Sequence, residues 1–322
     1  MNSKLLLTII LLVSALYVQA QQDPQLSQYM FNNASINPAA VGTNDGNLTL
    51  FYRTQWVNQP GSPKTMGFVG DLVVPNTNVG LGLNAFKTTQ GALSFTRVQT
   101  NYSYKINLKE DVSSLNLGLQ AGVVQYSIDA AQLKLHDDIS LDQTFNAGTL
   151  QKMIPDFGFG AHLKIKDFYF GAAVPHLLQS NIKFVKDIVD TTGRIGQRNS
   201  FTKIFRHYYF TAGTSIDVNP TITLKPSIIF KYIVNAPMTA DIDLIAAIKE
   251  NFWVGAGYRI GSPGAYIAMA GLNYKMLKIG YSYDVTKSPL AAYAGATHEL
   301  MVNYKFQIVK EVKVSKKPYF LK

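Results

Sequence analysis

Five histidines are the residues of this 322-residue chain best suited to acid–base or metal chemistry: His136, His162, His176, His207 and His298. No two stand at a zinc-binding spacing such as H-x-x-x-H. With no cysteine, there is no thiolate metal ligand, no cysteine nucleophile and no disulfide. His298 and Glu299 are adjacent, but in a strand neighbours point to opposite faces, so they cannot form a dyad. His176 follows Pro175 at a strand end, which favours a place on a rim. No serine sits in a nucleophile-elbow setting. His136-Asp137-Asp138, with Asp129 and Asp142, makes the 129–154 stretch acidic, yet the spacing is not that of an EF-hand loop. A solvated loop outweighs a calcium site there. We therefore expect no enzyme, no metal and no cofactor.

The elements that carry these residues alternate in polarity. In Thr297 to Phe306, His298, Leu300, Val302, Tyr304 and Phe306 share one face, against Glu299, Met301, Asn303 and Lys305. Near 96–106, Val98, Tyr102, Tyr104 and Ile106 oppose Arg97, Gln99, Asn101, Ser103 and Lys105. Leu277, Ile279, Tyr281, Tyr283 and Val285 oppose Lys278, Gly280, Ser282 and Asp284, and Phe252, Val254, Ala256, Tyr258 and Ile260 oppose Trp253, Gly255, Gly257 and Arg259. About 14 such strands are expected, near 47–57, 64–74, 79–88, 92–106, 112–126, 155–165, 168–176, 204–217, 221–234, 239–248, 252–260, 265–274, 276–285 and 297–307. Periodicity alone leaves a soluble sandwich and a barrel equally open.

Other features separate the two. Lys4, the apolar run Leu5 to Val18 and the small-residue end Val18-Gln19-Ala20 read as an export signal. That run of about 14 residues is too short for a spanning helix, which needs roughly 20. Charged residues are only 16% and Tyr and Phe number 18 each, while the hydrophobic fraction of 47% is ordinary. A barrel shows lipid every second residue, so this is its expected composition. Alternate connections are all short (75–78, 107–111, 166–167, 218–220, 249–251, 275), while the others, among them 60–63, include the long 129–154, 177–203 and 286–296. Short turns on one rim and long loops on the other are the outer-membrane pattern. The net charge of +10 comes from scattered lysines, and an exported chain does not meet nucleic acid.

The expected organisation is a signal peptide at 1–20, an N-terminal segment at 21–46, a transmembrane antiparallel β-barrel at 47–307 and a basic tail at 308–322. The 21–46 segment is periplasmic or folds into the lumen as a plug. Lys183, Lys186, Arg194, Arg198, Lys203 and Arg206 make the 177–203 region basic, suited to an acidic cargo or lipopolysaccharide phosphates. In the tail, Lys310, Lys313, Lys316, Lys317 and Lys322 face one Glu311 and suit an acidic periplasmic partner.

Gln21-Gln22-Asp23-Pro24-Gln25, Gln28-Tyr29-Met30-Phe31-Asn32, Ile36-Asn37-Pro38-Ala39 and Gly42 resemble the mature start of the PorP/SprF family. Tyr52-Arg53-Thr54-Gln55-Trp56 before Gly61-Ser62-Pro63 continues the likeness, as do Pro155-Asp156-Phe157-Gly158 with Gly160, Tyr169-Phe170-Gly171 and Pro175-His176-Leu177. Tyr281-Ser282-Tyr283-Asp284, Gly295 and His298-Glu299-Leu300 before Tyr304-Lys305-Phe306 resemble its end. The resemblance implies an outer-membrane barrel of the type IX secretion and gliding machinery of Bacteroidota. It implies partners too: periplasmic motor components, outer-membrane lipid, and a secreted surface adhesin with a family-specific C-terminal domain. It supplies no catalytic residues. The competing expectation is a passive porin whose lumen residues Arg97, Lys105 and Lys278 favour anions.

Overall fold

A computed structural model describes residues 23–43, 46–109, 112–132, 149–189, 195–234, 236–249, 251–261, 263–288 and 291–307. Among the described residues, seventeen strands run in chain order from β1 (Gly46–Thr54) to β17 (Thr297–Lys305). Fifteen of them form one antiparallel sheet. Its first strand pairs with its last, from Asn47 opposite Lys305 to Thr54 opposite His298. β10 (His207–Gly213) bridges β7 (Phe168–Val174) and β12 (Ile222–Ile233), which closes the other gap. The short β11 (Ile216–Asn219) continues the stave begun by β10, so the closed ring has 14 staves. Closure leaves no unpaired edge, the condition for a sheet surrounded by hydrocarbon.

The direction of the alternation decides the solvent. On β1, Arg53 is 2% exposed while Leu50 is 52% exposed. On β4 (Leu93–Lys109), Arg97, Gln99, Asn101 and Ser103 are buried, and Val98, Tyr102, Tyr104 and Ile106 face outward. β16 (Leu277–Lys287) buries Ser282 and Asp284 and exposes Ile279, Tyr281 and Tyr283. A soluble sandwich would do the reverse. This wall is polar inside and apolar outside, as a lipid-embedded barrel must be. Outward aromatics gather at both ends: Tyr52, Tyr232, Tyr266 and Tyr283 toward one rim, and Tyr104, Phe168, Phe252, Tyr274 and Tyr304 toward the other.

Two expectations are corrected. The 177–203 stretch is not a plain loop. It forms a separate antiparallel hairpin of β8 (Asn181–Val189) and β9 (Ile195–Lys203), in a two-stranded sheet of its own. At its base Ile182 and Ile204 pack against Val124 and Ile154. β5 (Ser113–Asp129) and β6 (Thr149–Ile165) also reach beyond their expected ends of 126 and 155, pairing as far as Asp129 opposite Thr149.

Candidate functional site

The lumen is occupied by the chain's own residues 23–43, three short 3-10 turns (Tyr29–Phe31, Asn33–Ser35, Pro38–Ala40) joined by tight bends. Their partners lie on staves all round the ring, which only a segment inside it can reach. Toward the long-loop end, Ser27 N–H and Gln28 N–H donate to the two Glu299 carboxylate oxygens, each at 2.9 Å. Arg53 binds Asp284 at 2.7 Å and Glu299 at 3.0 Å, and also donates to the Ser27 hydroxyl at 2.9 Å. Arg259 and Lys231 each pair with Asp241 at 2.9 Å. Deeper in, Asn84 donates to the Ala34 carbonyl, Asn37 to that of Ala161, and Ser103 to that of Val41. Near the short-turn end, Gly42 N–H donates to Asp71.

Close approach is built into the wall. Gly118 of β5 and Gly160 of β6 sit side by side. A Cβ on Gly118 would collide with the Ala39 backbone, and one on Gly160 with the Asn37 side chain. Only glycine lets the Pro38–Ala40 turn press on the sheet here. Ala39 is completely buried as a result.

A second cluster fastens the start of the segment. Asp23 binds Arg97 at 2.8 Å, His176 Nε2 at 3.1 Å and the Tyr209 hydroxyl at 3.2 Å. His176 Nδ1 binds Asp156 at 2.9 Å. Asp23 N–H donates to His207 Nε2, and His207 Nδ1 faces the Phe205 carbonyl, so His207 acts as a neutral Nδ1–H tautomer. His176 is 3% exposed, turned into the barrel with φ of 58° rather than out onto the rim, which corrects the expected rim position. Its two carboxylate neighbours account for this.

Burial pushes His176 toward its neutral form, but Asp23 and Asp156 outweigh that and hold its pKa up at about 9. Burial would raise Asp23, yet Arg97 and His176 hold it well below the usual carboxylate range. The His176 contribution is therefore complete below about pH 6.5, its unfolded value, and is lost as pH rises through the folded value. The Asp23 contribution is present above roughly pH 4 and is lost as pH falls through its lowered value. The melting temperature in detergent is expected to fall from about pH 6.5 to 9, the loss approaching about 3 kcal/mol. His176→Gln should abolish that slope, and an identical slope in variant and parent would contradict the assignment.

Above the segment, a cavity of about 600 Å³ opens at the long-loop rim. Asp23, Pro24, Gln25, Arg53, His176, His207, Arg259 and Asp284 form its floor, and Trp56, Leu93, Phe95, Tyr126, Ile128 and Ile204 give it apolar walls. A charged floor under apolar walls is a concave site for a group with both charged and apolar parts.

The sequence-level candidates fall as follows. Lys183, Lys186, Arg198 and Lys203 lie on the backbone of the β8–β9 hairpin, with Lys186 opposite Arg198. Arg194, Lys313, Lys316 and Lys317 lie outside the described residues, as does most of the acidic 129–154 stretch. Arg206 donates to the Leu177 carbonyl. Of the lumen cations of the porin expectation, Lys105 is exposed at the short-turn end, opposite Asn116. Arg97 is tied to Asp23, and the Lys278 ammonium lies 3.9 Å from the centre of the Phe31 ring. Arg53, Arg259, Glu299 and Asp284 escaped the sequence reading as a set. Their sole signal was four charged residues on the polar faces of separate strands.

The family described as "Type IX secretion system membrane protein PorP/SprF" matches residues 18–304. The chain belongs to the PorP/SprF family. Membership makes it a membrane protein and points to partners within that machinery. No curated protein matches it. Among solved structures, the P. putida toluene transporter TodX shares 11% identity at a TM-score of 0.48, over 86% of this chain and 95% of that one. The KdgM porin shares 8% at 0.37, over 81% and 99%. A mutant Rh. blastica porin shares 11% at 0.32, over 81% and 99%.

Proposed function

We propose that this PorP/SprF member is an exported outer-membrane component of type IX secretion that helps secrete or anchor a surface adhesin, without catalysis of its own. The observation that carries this reading is the packed lumen. Residues 23–43 are hydrogen-bonded on all sides, which weighs against a passive pore and leaves the rims as working surfaces. The long-loop rim faces outward by the outer-membrane rule. There the cavity above Asp23, flanked by the β8–β9 hairpin that carries Lys183, Lys186, Arg198 and Lys203, receives the C-terminal domain of the cargo. The basic tail, with Lys313, Lys316 and Lys317, serves the periplasmic side.

The test is affinity purification from native outer membrane in mild detergent, followed by mass spectrometry. We expect a large surface protein or periplasmic motor components to travel with the barrel. A barrel recovered alone that conducts ions in a planar bilayer would replace this reading with the porin.

A further inference from the structure

The short-turn mouth of the barrel carries an unusual set of lysines. Lys105 lies opposite Asn116, Lys164 two residues beyond His162, Lys225 opposite Ile245, Lys278 opposite Asn303, and Lys305 two residues beyond Asn303. Asn116, His162, Ile245 and Asn303 are all buried lumen-facing residues. Directly opposed residues share a face of the sheet, and so do residues two apart, so all five lysines stand on the lumen face. Lys225 and Lys305 lie near enough to Lys278 to repel its charge. Among the described residues none of the five makes an ion pair. Of the acids described at this end, Asp71 accepts from Gly42 N–H and Asp217 from the Thr223 hydroxyl, while Asp167 stands beside Lys166 in its turn, so the five lumen-face lysines still outnumber them.

The turns at the same rim add a second, independent observation. Lys166, Lys249 and Lys275 occupy left-handed backbone at φ of 53°, 48° and 54°. Glycine or asparagine is at ease there, as Asn76 is in the fourth such turn with φ of 59°. Three turns that put lysine in a strained position, each at a tip, hold positive charge where backbone comfort asks for another residue.

We propose that the short-turn mouth is a docking site for an acidic protein segment that enters from the aqueous side and lies across the lysine ring. Phospholipid headgroups reach the outside of the rim, whereas five of these lysines face the lumen. The chain's own tail is excluded by charge, since Lys310, Lys313, Lys316, Lys317 and Lys322 outnumber Glu311. The lysines come from β4, β6, β12, β16 and β17, so they span the opening and fit an extended polyanion better than a single small ion. This goes beyond the secretion reading and requires no knowledge of the cargo, which meets the other rim.

The full chain, purified in detergent, is titrated with a fluorescent deca-glutamate peptide at low salt. Binding is expected for the parent protein and for a Lys64→Gln/Lys152→Gln control at the long-loop rim. Lys105→Gln/Lys225→Gln/Lys305→Gln should bind about tenfold more weakly. Lys278 is left intact because it packs on Phe31. Heat-modifiable mobility on gels verifies that each variant is folded, and single Lys225→Glu serves if the triple variant is not. Equal affinity in triple variant and parent, or equal loss in the control, overturns the proposal. So does a parent protein that ignores the peptide but captures phosphatidylglycerol vesicles. None of these outcomes depends on which proteins co-purify with the barrel.

Discussion

Replacing Arg53 with methionine should destabilise the barrel by about 3–5 kcal/mol, the usual cost of removing one partner from a buried ion pair. The guanidinium is 2% exposed and stands between Asp284 at 2.7 Å and Glu299 at 3.0 Å, themselves 1% and 2% exposed. Without it, Arg259 at 3.5 Å is the remaining cation near Asp284, and Glu299 keeps the Ser27 and Gln28 amides but only the more distant charge of Arg259. The loss should appear first as release of the N-terminal segment. Limited proteolysis within residues 23–43 is expected to accelerate before the wall itself unfolds in urea. Arg53→Lys should fall between, keeping charge but not the two-pronged contact. Parent-like proteolysis and unfolding in Arg53→Met would show that the network is ornamental.

Gly160→Leu should convert a closed barrel into a conducting one. The new side chain would occupy the space of the Asn37 carboxamide and Pro38 ring, and the sheet has no slack behind it. The Pro38–Ala40 turn is fastened at its flanks, by Asn37 to the Ala161 carbonyl and Ser103 to that of Val41, whereas each stave is laddered along its length, so the segment yields before the fourteen-stave wall does. In planar bilayers the parent should be silent and the variant should show steps of conductance. A chain lacking 23–43 is the second test. If both fold, judged by heat-modifiable mobility, and both stay silent, the segment is not what closes the lumen.

The staves were legible because each faces two solvents. Tyr281, Ser282, Tyr283 and Asp284 alternate since lipid meets one face and the packed lumen the other, a rule written into every second residue. The sense of the alternation is not in the periodicity, which a sandwich and a barrel share; the export signal, the low charge and the short-and-long loop pattern supplied it. The β8–β9 hairpin was missed for a related reason. It pairs only with itself, so Gly196-Gln197-Arg198-Asn199-Ser200 carries no one-sided stripe. The candidate site was least legible of all. Ser27 meets Glu299 across a separation of 272 residues and Asp23 meets His176 across 153, and no local pattern encodes such pairs.

The seam of the barrel joins its earliest strand to its latest, residues 46–54 to 297–305. The carboxylates that clasp Ser27 belong to Asp284 and Glu299, on the last two strands. Residues 23–43 are thus held by the last strands, and their anchors exist only once those strands are in place. Seating the segment and zipping the seam become one step of biogenesis, so an incompletely translated chain leaves its own start unclaimed.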